Sequence, residues 1–104
     1  PVTYSVAKSA INSYVKNISK HLTKSGIRIN AVAPGNIMSE SSVWKEKFSE
    51  NPKDVKTMLK KEVAMGRFGT PEEISNLVVF LCSEKSSFIT GSTFIVDGGQ
   101  TKGV

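Results

Sequence analysis

Apolar residues recur at Ala7, Ile11, Tyr14, Ile18 and Leu22, three or four positions apart. That spacing belongs to one face of a helix, and it predicts a single helix from Tyr4 to about Lys24 whose stripe packs on another element. Ser9, Asn12, Ser13 and Lys16 occupy much of the remainder, small or polar enough to let a second helix approach closely. Ser25-Gly26 ends the helix, with glycine where a left-handed cap is usual. Ile27 to Ala33 is β-branched and alternating and stops at Pro34-Gly35, which predicts a strand feeding a loop. In an open α/β sheet, ligand contacts gather beyond the carboxyl ends of such strands.

From Asn36 to Gly66 the pattern is least regular. Val43-Trp44 to Phe48 predicts one short helix. Asn51-Pro52 predicts the start of another, with Val55, Met58 and Leu59 as a narrow stripe. Glu40, Glu46, Glu50, Asp54 and Glu62 alternate with lysines, so this segment is amphipathic and solvent-laced. A long, partly helical insertion after a sheet's carboxyl edge is typical of a lid. Trp44 either lines a pocket or packs a short helix. Thr70-Pro71-Glu72-Glu73 is a capping box with proline at the first helical position. Ile74, Leu77, Val78 and Leu81, widened by Phe80 and Cys82, give a stripe broad enough to predict burial on more than one side, ending at Ser86-Ser87. Thr93 to Val96 is a short apolar run of the kind buried on both faces of a parallel sheet, and Asp97-Gly98-Gly99 terminates it.

Composition narrows the function classes. At 104 residues the chain has room for one small domain. It meets candidate chemistry almost at once, so it is expected to be a piece of a longer protein. No apolar run is long enough to span a bilayer, and the lone Cys82 excludes a disulfide framework, which together predict a cytoplasmic protein with no membrane partner. The net charge of +5 invites a nucleic-acid reading. Its distribution argues against one. Lys16, Lys20 and Lys24 follow at helical spacing as a solvated face, without the interleaved aromatics that stack on bases. His21 has no second histidine beside it, and no metal site is assigned.

The sharpest chemistry is Tyr4-Ser5-Val6-Ala7-Lys8. Residues four apart on a helix lie one above the other, so Tyr4 and Lys8 share a face. A free phenol, with a pKa of ~10, is a reluctant acid at neutral pH, and a nearby cation favours its phenolate. Such a pair can pass a proton to a carbonyl oxygen or take one from an alcohol. By itself the spacing also fits a surface lysine one turn past an interfacial tyrosine.

Taken in order, the pieces resemble the short-chain dehydrogenase/reductases. They are Tyr4-Ser5-Val6-Ala7-Lys8, Ile27-Arg28-Ile29-Asn30-Ala31-Val32-Ala33-Pro34-Gly35-Asn36-Ile37, Arg67-Phe68-Gly69-Thr70-Pro71-Glu72-Glu73-Ile74, Ile89-Thr90-Gly91 and Asp97-Gly98-Gly99. The resemblance covers the whole chain but only the C-terminal part of a family member. It implies an α/β fold: the C-terminal portion of a doubly wound, parallel-sheet, Rossmann-like domain spanning 1–104, with two parallel strands, helices, and residues 39–66 as the substrate lid. Such a portion is incomplete without its N-terminal half. The resemblance makes Tyr4 the proton donor and acceptor, and Lys8 the lysine that favours the phenolate and hydrogen-bonds the nicotinamide ribose. Pro34 and Gly35 match the turn beside the nicotinamide ring, and Ile37 a position whose backbone holds the carboxamide. Ser39 stands where the family more often has threonine. Asn30 matches a structural position, an amide pinning the strand to neighbouring loops.

The implied function is an NAD(P)-dependent oxidoreductase transferring hydride between nicotinamide and a small-molecule carbonyl or secondary alcohol. The choice between NAD and NADP is not encoded in these residues. The family's glycine-rich turn, its catalytic serine and an asparagine of an earlier helix are not among them either, so the chain alone is expected to be inactive. A homodimer or homotetramer is expected as well, since two strands leave unprotected edges. The competing reading is a non-catalytic oligomerisation fragment that keeps only the association faces.

Overall fold

In the computed structural model, which describes residues 1–102, the elements run helix α1 (Val2–Leu22), strand β1 (Ala31–Pro34), helices α2 (Val43–Glu50), α3 (Pro52–Glu62) and α4 (Pro71–Cys82), and strand β2 (Thr93–Val96). Residues 1–32 with 79–94 form one compact unit, and residues 33–78 with 95–102 form another. β1 and β2 are adjacent in one sheet. Ala31 N–H donates to Ser92 O at 2.9 Å and Gly35 N–H to Val96 O at 2.9 Å, so both partners advance in the same direction. The pair is parallel, as expected.

α1 ends as its sequence dictates. A 3₁₀ turn at Thr23–Ser25 leads to Gly26 at φ 73°, and Ile27 N–H reaches back to Leu22 O at 3.1 Å. Its buried face differs from the expected stripe. Val15 and Ser19 are buried, whereas Ala7, Ile11 and Tyr14 are exposed along with every other residue up to position 14. The reason is local: the close approach comes from Gly91, where a Cβ would lie 2.5 Å from Ser19 Oγ, and no described element of this unit covers the first turns.

β1 is shorter than its β-branched pattern predicts, because side chains replace backbone rungs ahead of it. Ile29 N–H donates to Thr90 Oγ1 at 3.1 Å, and Gly91 N–H donates to Ile29 O at 2.7 Å. Asn30 Nδ2 donates to Ile89 O at 3.1 Å while its Oδ1 accepts from Ser92 N–H at 3.1 Å. This is the structural role expected of Asn30. Arg28 donates to Leu81 O, Ser83 O and Ile89 O at 2.9, 3.2 and 3.2 Å. It satisfies carbonyls at the end of α4 that have no partner within the helix.

α4 stops at Cys82, and a separate 3₁₀ turn at Glu84–Ser86 follows where the helix was expected to continue. The broad burial expected of it is also not met: Leu81 is buried, but Val79 and Cys82 are exposed. β2 is likewise open on one side at Ile95. Both follow from a sheet that has two strands among the described residues, too few to cover every apolar face of the elements beside it.

In the second unit, Val55, Leu59 and Val63 are buried with Trp44, Phe48, Met58 and Phe68 around them. Trp44 and Phe68 meet at 5.5 Å and 51°, so the single tryptophan packs the α2–α3 pair.

Candidate functional site

In the first unit, Tyr4 and Lys8 stand one turn apart on α1, with Lys8 Nζ 5.3 Å from the centre of the Tyr4 ring. Tyr4 is 61% exposed, so its hydroxyl is accessible to a ligand. α1 carries no acidic residue in its first turn, leaving the ammonium without a competing carboxylate on its own helix.

The second unit brings three of the other candidates together. Pro34, Ile37 and Ser39 line an open groove of about 470 Å³ with Pro71, Ile74, Ser75 and Val78. Its lining is mostly apolar, with hydroxyls from Ser39 and Ser75. The Ser39 side-chain oxygen takes no hydrogen bond from the described residues; its backbone is held by Ser42, whose Oγ accepts from Ser39 N–H at 3.2 Å. Gly35 is placed differently. It backs onto Asp97, where a Cβ would lie 2.6 Å from Asp97 Cβ and 2.7 Å from its Cα. Gly35 thus shapes the turn and does not line the groove.

Ile37 forms an isolated parallel bridge to Gly69. Gly69 N–H donates to Asn36 O at 3.0 Å, and Met38 N–H donates to Gly69 O at 3.1 Å. Backbone groups alternate in direction along an extended chain, so Ile37's own N–H and C=O point away from Gly69. Neither has a backbone partner among the described residues. An unpaired donor and acceptor on one peptide segment match a ligand amide, and an apolar groove beside them suits a flat ring.

Two features escaped sequence reasoning. Asp97 accepts from Gly99 N–H at 2.9 Å and Thr101 N–H at 2.7 Å. Hydrogen bonds from Thr101, then from Gly99 and Gln100, hold its carboxyl below the usual range. The other is Glu73, read only as a capping residue. Its carboxylate takes both arms of the Arg67 guanidinium at 2.8 and 2.9 Å and the Thr70 N–H at 3.0 Å. The reciprocal capping bond, Glu73 N–H to Thr70 Oγ1, is 3.3 Å. The Arg67 hydrogen bond first, then that of the Thr70 N–H, lowers the Glu73 carboxyl to about 2.

A depressed acid stabilises the fold above its ordinary pKa and loses that contribution as pH falls through its folded value. The Glu73 contribution is therefore fully present above its ordinary value of 4.5 and fades toward pH 2. NMR titration of Glu73 in Arg67→Ala is expected to move its midpoint upward from about 2, yet keep it below 4.5, because the Thr70 hydrogen bonds remain. An unchanged midpoint would rule out the arginine as the main cause.

A parallel strand pair whose connection carries helices defines a portion of a doubly wound α/β protein. A family model described as enoyl-(acyl carrier protein) reductase matches residues 1–101. The chain belongs to the short-chain dehydrogenase/reductase family.

A 3-oxoacyl-[acyl-carrier-protein] reductase of Aquifex aeolicus is 40% identical over 99 residues, covering 95% of this chain and 38% of its own length. Among solved structures, 4-hydroxyisoleucine dehydrogenase complexed with NADH superposes with a TM-score of 0.84 at 32% identity, covering 99% of this chain and 41% of its own. L-sorbose reductase from Gluconobacter frateurii, complexed with NADPH and L-sorbose, gives 0.83 at 32% identity, covering 97% of this chain and 41% of its own. The chain thus spans about two-fifths of the length of its relatives, and its fold is a portion of their Rossmann-like domain. Among the described residues no helix is long and apolar enough to cross a membrane.

Proposed function

We propose that this chain is the proton-handling and nicotinamide-side segment of an NAD(P)-dependent oxidoreductase acting on a small carbonyl compound or secondary alcohol. The observation that carries the reading is the free N–H and C=O of Ile37 beside a groove lined by Pro34 and Ser39. That arrangement fits a carboxamide-bearing ring: the backbone answers the amide, the apolar wall the ring face, and the Ser39 hydroxyl is open to a further polar contact. A bound nicotinamide supplies or accepts the hydride. The chain's own residues do the rest. Tyr4 Oη gives a proton to the carbonyl oxygen, or takes one from the alcohol, and Lys8, one turn along the helix, hydrogen-bonds the ribose.

The NADH and NADPH of the two solved structures belong to those proteins, and both cofactors stay open for this one. Residues 1–104 act in this reading as a segment of one domain, with residues 39–66 as its substrate lid. A homodimer or homotetramer is part of the same proposal, favoured by the exposed Val2, Val6, Ile11 and Tyr14 on α1.

The test compares the 104-residue chain with a polypeptide restored to the length of its relatives. The chain alone contains no glycine-rich turn opening a helix, the element that holds a dinucleotide's pyrophosphate. It is expected to show no saturable NADH or NADPH binding in the micromolar range and no turnover. The restored polypeptide is expected to bind one of the two and to elute as an oligomer in light scattering. Tight cofactor binding by the short chain, or none by the long one, would overturn the reading. An oligomeric but cofactor-blind long chain would favour the association fragment instead.

A further inference from the structure

A cofactor contact through the Ile37 backbone requires that this backbone be held in place. Residues 36–38 belong to no strand or helix except through the single bridge to Gly69, and a lone bridge is a weak fixture. Its strength comes from what lies behind Gly69. The peptide unit joining Phe68 to Gly69 has its carbonyl held by Arg67 Nη1 at 3.0 Å and its N–H given to Asn36 O at 3.0 Å. The next unit, joining Gly69 to Thr70, has its N–H held by the Glu73 carboxylate at 3.0 Å and its carbonyl receiving Met38 N–H at 3.1 Å. Each planar peptide is thus gripped by a charge on one side and by the 36–38 segment on the other. Because the unit is rigid, orienting one end orients the other.

The charges also polarise what they grip. A guanidinium on the Phe68 carbonyl makes the Gly69 N–H a better donor. A carboxylate on the Thr70 N–H makes the Gly69 carbonyl a better acceptor. Both effects strengthen the two bonds that hold residues 36–38. The bidentate pairing of Arg67 with Glu73 then ties the two grips into one piece.

We propose that Arg67 and Glu73 are positioning residues for nicotinamide binding, acting through the two peptide units of Gly69 to hold the Ile37 N–H and C=O toward the ring's carboxamide. The proposal rests on the assignment of Ile37 to the nicotinamide made above. It gives the Thr70–Glu73 capping box a second task besides starting α4. Glycine suits the link between the grips, since a Cβ at position 69 would lie 2.7 Å from Ile37 Cδ1 and push on the residue being positioned.

A purely structural ion pair would affect every property of the protein alike; a positioning pair acts on one end of the cofactor. The experiment measures, in the restored-length polypeptide, the affinity for whichever of NADH and NADPH binds and for the matching ADP-ribose or its 2′-phosphate, which lack the nicotinamide. Wild type is expected to prefer the complete dinucleotide. Arg67→Ala is expected to erase most of that preference, weakening the dinucleotide by about tenfold, the loss of roughly one hydrogen bond, with ADP-ribose affinity nearly unchanged. Arg67→Lys keeps the charge but loses the fork, and is expected to fall between the two with little change in melting temperature. It serves as the readout if the alanine variant does not fold.

In the 104-residue chain, amide exchange at Gly69 and Met38 is expected to quicken in either variant. Equal losses for dinucleotide and ADP-ribose, or no loss for either, overturn the positioning role while leaving the nicotinamide assignment standing. A wild type that binds ADP-ribose as tightly as the dinucleotide overturns both.

Discussion

In the restored-length polypeptide, Tyr4→Phe is expected to cut turnover by about 10²- to 10⁴-fold, the usual worth of a positioned general acid or base. Cofactor affinity should hardly change. Phenylalanine keeps the ring and loses only the oxygen that carries the proton. Tyr4 sits 61% exposed near the start of α1, so no packing depends on that oxygen. The comparison with Lys8→Ala sharpens the result. Lys8 lies over the Tyr4 ring at 5.3 Å and, in the proposed scheme, hydrogen-bonds the ribose. Its removal is expected to lower both turnover and cofactor affinity. Steady-state kinetics paired with fluorescence titration of the cofactor separates the two. Full activity in Tyr4→Phe would remove the dyad from the mechanism.

The second large effect is expected at Gly35, through sterics and not chemistry. A β-carbon there would stand 2.6 Å from Asp97 Cβ and 2.7 Å from Asp97 Cα. The second of these is backbone, which cannot swing aside as a side chain can. Gly35 is fastened on the same side by its N–H to Val96 O at 2.9 Å. Relieving the clash means parting β1 from β2 at their carboxyl ends. Overpacking of this kind typically costs about 1–3 kcal/mol, and the upper end applies when backbone must move. Gly35→Ala should therefore lower the thermal midpoint by several degrees and weaken cofactor binding, since Pro34 of the groove precedes it directly. A variant with wild-type melting and affinity would mean that the turn relaxes more easily than its contacts imply.

How much of this was legible in the sequence depends on whether a feature's cause is local. The capping box at Thr70 and Glu73 was readable because its two hydrogen bonds close within three residues, and both form. β2 was readable for the same reason: a short apolar run stopped by Asp97-Gly98-Gly99 leaves little choice of boundaries. The start of β1 was not. Ile27 and Ile29 give the β-branched signal whether their neighbours pair through backbone or through Thr90 and Asn30 side chains. Arg28 was unreadable in principle, since its carbonyl partners lie 53 to 61 residues further along. The stripe of α1 shows the opposite failure. Periodicity reports that a face is apolar, and says nothing of where its covering element is.

The candidate site divides the same way. Tyr4, Lys8, Pro34, Gly35, Ile37 and Ser39 came from motif resemblance, and the structure adds different content to each. Gly35 proves to be a spacer against Asp97, while Ile37 presents backbone, which no side-chain pattern can announce. Glu73 was visible as the capping residue of a helix start, and Arg67 only as part of a motif. Their grip on the peptides of Gly69 needed coordinates.

The packing of α2 and α3 carries a consequence for how such a protein can change. Val55, Leu59 and Val63 close on Trp44, Phe48, Met58 and Phe68, all drawn from one continuous stretch of chain. Most of the remaining residues of the two helices are exposed. A segment that brings its own core can vary its outer residues without disturbing that core. If it forms a wall of the substrate pocket, new shapes and charges can be tried there one residue at a time while the segment's own packing is left as it was.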